Sequence, residues 1–74
     1  MPYVTNEDLP ISVQRHLPEE AQDIFRKAFN HAWAQYSGHP RREEIAHRVA
    51  WAAVKNAYVK IGSEWLPRLP AWHP

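Results

Sequence analysis

Glu43-Glu44-Ile45-Ala46-His47-Arg48-Val49-Ala50-Trp51-Ala52-Ala53-Val54-Lys55-Asn56-Ala57-Tyr58 is the stretch on which the fold of this chain turns. On a helical wheel Ala46, Ala50, Ala53 and Ala57 share one face, flanked by Val49, with Glu44, Arg48 and Lys55 opposite. Trp51, Val54 and Tyr58 make a second apolar strip beside His47. The spacing predicts a helix with a smooth alanine face, suited to close packing, and a bulkier face for something else.

The segment before it supplies what covers the alanines. Ala21, Ile24, Phe25, Ala28, Phe29, Ala32, Trp33 and Tyr36 keep helical spacing without a break, and Glu19, Glu20 and Asp23 put negative charge in the first turn. Asp23 and Lys27 stand at the i,i+4 spacing of an ion pair. Ser37-Gly38-His39-Pro40 reads as the stop, with Gly38 left-handed and Pro40 opening the next helix. So short a connection makes the two helices antiparallel neighbours, with Phe25, Phe29 and Trp33 received by the alanine face.

Further out, Asp8-Leu9-Pro10 reads as a helix start, and Leu9, Val13 and Leu17 repeat at four-residue spacing. This predicts a helix of about two turns over 10–16, which Leu17-Pro18 ends. Tyr3-Val4-Thr5 is short and strand-prone. Gly62-Ser63 is a candidate turn between apolar flanks in 60–65, and that segment is expected to form a ribbon with residues 3–5. Pro67, Pro70 and Pro74 prevent a regular helix at the end, where Trp65, Pro67, Pro70 and Trp72 make either a strap over the core or a recognition segment. The expected architecture is mainly α: a compact three-helix domain with a small two-stranded β element from the two ends. Residues 1–65 form the domain and 66–74 a Pro/Trp-containing tail.

Composition narrows function by exclusion. Seventy-four residues make one small core, and with no cysteine its stability rests on helix packing, to which four Trp, three Tyr and two Phe contribute. A net charge of +1 gives no strong field for nucleic acid or anionic lipid. No apolar run has the length of a membrane span, and the amino end lacks the pattern of a signal peptide, so a cytoplasmic protein without membrane insertion is expected.

The chemistry-bearing residues are sparse. His16, His31, His39, His47 and His73 include no pair at i,i+3 or i,i+4, so no metal site is predicted. Ser12, Ser37, Ser63 and Thr5 stand in no nucleophile elbow, and two glycines make no phosphate loop. No cofactor and no catalysis are expected. His47 lies one turn after Glu43 and Glu44 and one turn before Trp51; the carboxylates would favour imidazolium and the indole would stack on it, the pattern of a pH sensor. Arg41, Arg42, Arg48, Lys55, Lys60 and Arg68 group around one end of the same helix, and with Trp51 and Trp65 they make a modest basic-aromatic surface.

Several motifs together resemble the ChaB family of bacterial cation transport regulators. They are Met1-Pro2-Tyr3, Asp8-Leu9-Pro10, Leu17-Pro18, Ala21-Gln22-Asp23-Ile24-Phe25, Ala28-Phe29-Asn30, Ala32-Trp33 with Tyr36, Arg42-Glu43-Glu44, and the run Ala46-His47-Arg48-Val49-Ala50-Trp51-Ala52-Ala53-Val54-Lys55 with Tyr58. The resemblance implies three helices with a small β element, and a role in regulating a membrane cation–proton antiporter; it brings no catalytic residues. The function expected is therefore that of a small non-enzymatic regulatory or adaptor protein, with His47, Arg48, Trp51 and Lys55 as the partner-binding surface. The alternative is an accessory nucleic-acid-binding domain using the same surface. The oligomeric state stays open at this point.

Overall fold

The computed structural model describes residues 2–68. After a 3₁₀ turn at Asn6–Asp8 come α1 (Ile11–His16), α2 (Glu19–Gln35) and α3 (Arg42–Ala57), then strands β1 (Tyr58–Ile61) and β2 (Glu64–Pro67). The mainly α class with three helices and a two-stranded antiparallel ribbon is the one expected.

Local chemistry sets the boundaries. Leu17 is extended (φ −109°, ψ 136°), as the ring of Pro18 requires of its predecessor, and α1 ends there. Pro10 and Pro18 both occupy the capping position just before a helix, where a missing N–H costs nothing. Gly38 takes φ +84° after α2, and an added Cβ there would meet no atom within 4 Å, so the constraint is one of backbone conformation and not of space. Pro40 lies in the turn, two residues ahead of the start of α3 at Arg42.

The core joins all three helices. Leu9, Val13 and Leu17 are buried at their four-residue spacing and meet Ala21, Phe25, Phe29 and Ala32 of α2. From α3 the buried row is Ala46, Ala50 and Val54, continued by Tyr58. This merges the two apolar strips expected of that helix: Ala53 and Ala57 are only half-buried. A helix packs through one i,i+4 ridge, and the ridge that ends on inward-turned Tyr58 is the one used. α2 and α3 run antiparallel, since Trp33 late in α2 meets Arg42 early in α3, while Phe25 near the start of α2 meets Trp51.

Two further expectations change. The ribbon is a local hairpin in which Ile61 faces Glu64 and Lys60 faces Trp65, closed by Gly62-Ser63 with Gly62 at φ +63°. Residues 3–5 form no strand in it. A two-residue turn brings β1 and β2 together at far smaller loss of chain entropy than pairing with the opposite end. Asp23 does not pair with Lys27; it accepts from Asn6 Nδ2 at 2.7 Å and meets Arg26 at 3.5 Å. The Asn6 bond, reinforced by Arg26, holds its carboxyl below the usual range. Pro70, Trp72 and His73 lie outside the described residues, and so does most of the strap or recognition segment.

Candidate functional site

α3 shows its outer face to solvent, and an open groove of about 970 Å³ runs along it. Its lining includes Arg41, Glu44, His47, Arg48, Trp51 and Lys55, with Ala52 between the last two. All four residues expected at a partner surface, His47, Arg48, Trp51 and Lys55, are thus brought to one place. Glu44 and Ala52 join them by the same 3.6-residue period, although neither is basic or aromatic.

Trp51 is the residue shared between groove and core. It is half-buried, edge-on to Phe25 with ring centroids 5.3 Å apart, and tilted against Trp65 of β2 at 5.8 Å. Phe25 continues to Phe29, and Phe29 to Trp33, through stacked rings at 6.3 and 5.9 Å. The indole is therefore the outward end of an aromatic run through the molecule, a rigid contact with few rotamers to lose.

His47 meets Trp51 differently from the stacking expected. Trp51 Nε1–H donates to His47 Nε2 at 3.0 Å, with the rings at 66°. An indole N–H can only donate, so Nε2 presents its lone pair to it. The imidazole also stands edge-on to Phe25 at 5.6 Å. Groove wall and core thus share side chains and do not merely abut.

The charges are ordered along the helix. Glu43 and Glu44 lie in its first turn, and Lys55 in its last, an arrangement that suits the helix dipole at both ends. Arg41 Nε meets Glu44 Oε2 at 2.7 Å, an exposed pair of small energetic weight. Arg42 leaves the basic group: its guanidinium lies 3.9 Å over the Trp33 ring, and its Nε donates to the Trp33 carbonyl at 2.7 Å. Arg68 closes the far end of α3, donating from its backbone N to Ala57 O at 2.9 Å and from Nε to Lys55 O at 2.8 Å, which satisfies carbonyls the helix itself leaves open. Arg48 and Lys55 have no carboxylate partner among the described residues.

Among the described residues no three His, Asp or Glu side chains converge as metal ligands. Among the same residues no helix is long and apolar enough to cross a membrane. What the groove presents is an aromatic braced by the core, two cations with no carboxylate partner among the described residues, and an acidic end.

A family model described as ChaB matches residues 9–68. A protein of Escherichia coli (strain K12) named "Putative cation transport regulator ChaB" is 54% identical, the match covering 81% of this chain and 87% of the relative. The Shigella flexneri protein of the same name matches to the same extent. An NMR solution structure of a protein so named superposes with a TM-score of 0.81 at 49% identity, covering 92% of this chain and all of the other.

Proposed function

The chain belongs to the ChaB family, and from that premise we propose that it is a small non-enzymatic regulatory or adaptor protein that docks on a membrane cation–proton antiporter. Docking takes place through the α3 groove. Trp51 is the anchor, Arg48 and Lys55 engage acidic groups on the partner, and His47 holds the indole in place.

The single observation that carries this reading is Trp51 itself. An indole braced by Phe25, Trp65 and His47 stands in an open groove beside two cations that have no carboxylate partner among the described residues. Pre-ordered aromatic and arginine side chains are what partner-binding sites concentrate. The relatives' names speak of regulating cation transport, which favours a transporter as the partner; that it is a cation–proton antiporter is the finer part of the proposal.

The test is complementation. Cells lacking the protein are challenged with high sodium or potassium, and wild type is compared with the Arg48→Glu, Lys55→Glu double variant. Restored growth with wild type but not with the folded double variant is expected, with an antiporter co-purifying only with wild type. Equal restoration by both would overturn the assignment of the groove, and the absence of any cation phenotype would overturn the antiporter link.

A second reading has one observation in its favour. Arg68 is fastened to the last turn of α3 at the Lys55 carbonyl, which adds a third cation near Lys55 to the two that line the groove. Binding to generic DNA or RNA that falls steeply with salt would support a nucleic-acid-binding accessory domain instead.

A further inference from the structure

We infer that the outer face of α3 is also a self-association surface, on which a second copy of this chain lays its own α3 antiparallel. The inference rests on the order of side chains along the helix and does not depend on the docking role.

α3 spans Arg42–Ala57, so its midpoint falls between Val49 and Ala50. A twofold axis through that midpoint sets Glu44 opposite Lys55 of the second copy, Arg48 opposite Trp51, and His47 opposite Ala52. Each of these residues lines the groove. Every pairing is chemically apt: a carboxylate meets an ammonium, a guanidinium meets an indole face, and an imidazole meets a small side chain that allows close approach. The twofold axis makes each pairing occur twice.

The spacing agrees. Glu44, Arg48, Trp51 and Lys55 follow one another at steps of four, three and four, so they share one stripe along which a second helix can lie, with charges in place of the apolar residues of a coiled-coil seam. Antiparallel packing also sets each positive helix end beside the negative end of the other. A different protein docking here would need complementary charges but no symmetry about the helix midpoint. Arg41 and Glu43, which also line the groove, fall opposite Tyr58 and Asn56 and add no pairing; the symmetry of the six central residues is what favours a second copy.

Two features limit the affinity. The Arg41–Glu44 pair competes for Glu44, but its side chains are 69% and 50% exposed, so it yields readily. A 16-residue helix is about 24 Å long, too short for an interface of standard size. The dimer is therefore a weak one, populated at high concentration and loosened by salt. It buries Arg48, Trp51 and Lys55, so the monomer is the form able to dock.

Sedimentation equilibrium on the purified chain, from about 10 μM to about 1 mM at low salt, reads this directly. The weight-average mass should climb from one chain toward two. Glu44→Lys alone and Lys55→Glu alone each place like charges opposite one another and should weaken association about tenfold or more. The swap carrying both changes restores the pairing and should return association to near the wild-type value, with circular dichroism confirming helix content in every variant. A wild type that stays monomeric at the highest concentration overturns the inference. So does association indifferent to the single reversals, or a folded double swap that fails to recover it. No other protein is present, so the result is independent of whether the docking role holds.

Discussion

Asn30 grips the backbone of Tyr3 with both ends of its side-chain amide. The Tyr3 N–H donates to Asn30 Oδ1 at 2.8 Å, and Asn30 Nδ2 donates to the Tyr3 carbonyl at 2.7 Å. The amide thus pairs with an extended residue as a neighbouring strand would. It seats the Tyr3 ring against Phe29, with centroids 4.7 Å apart.

Asn30→Ala removes both bonds at once and strands two backbone groups in a half-buried place. The expected cost is about 1–3 kcal/mol of stability, read by urea denaturation, with the Tyr3 amide losing its protection from hydrogen exchange. Asn30→Asp keeps the acceptor but not the donor and should fall between.

The two phenols should make stability fall at alkaline pH. Burial pushes the Tyr58 hydroxyl up, with Glu20 near it adding to the effect, and burial followed by Glu43 does the same for Tyr3. The folded state thus holds these protons to higher pH than the unfolded chain does. Their contribution is complete below the ordinary tyrosine value near ~10 and is lost as pH rises through the raised values. Thermal unfolding followed between pH 8 and about 11 should show a falling midpoint, and Tyr3→Phe with Tyr58→Phe should flatten the fall. An unchanged slope in the double variant would sink this account.

Overpacking should be felt where α2 and α3 touch. Ala50 is fully buried on the ridge that faces Phe25 and Phe29, and Ala50→Leu should cost about 1–3 kcal/mol. Ala52→Leu, on the exposed side of the same helix, is the control and should leave the unfolding midpoint nearly unmoved.

Arg42→Lys tests the clasp between α2 and α3. Lysine keeps the charge but cannot lie flat on Trp33 while donating to its carbonyl. A loss of about 0.5–2 kcal/mol is expected, with a change in tryptophan fluorescence. Equal stability would mean that charge alone holds the contact.

Much of the molecule was legible residue by residue because its signals are local. Leu17-Pro18 and Gly38 mark helix limits through the steric demands of single residues. The four-residue spacing of Leu9, Val13 and Leu17 and the apolar period of α2 name most of the core, since a helix has one face to bury. His47, Arg48, Trp51 and Lys55 fall on one groove because helical geometry alone puts them there.

What the tertiary structure alone decided are relations between residues distant in sequence. Asn30 takes the place of a strand partner for Tyr3, Asn6 takes Asp23 from Lys27, and Arg42 turns from the basic surface onto Trp33. Each is a polar side chain choosing among several reachable partners, and the choice follows from which backbone and ring surfaces the packed helices bring near. Hydrophobic period is written along the chain; the pairing of polar groups exists only once the chain has closed on itself.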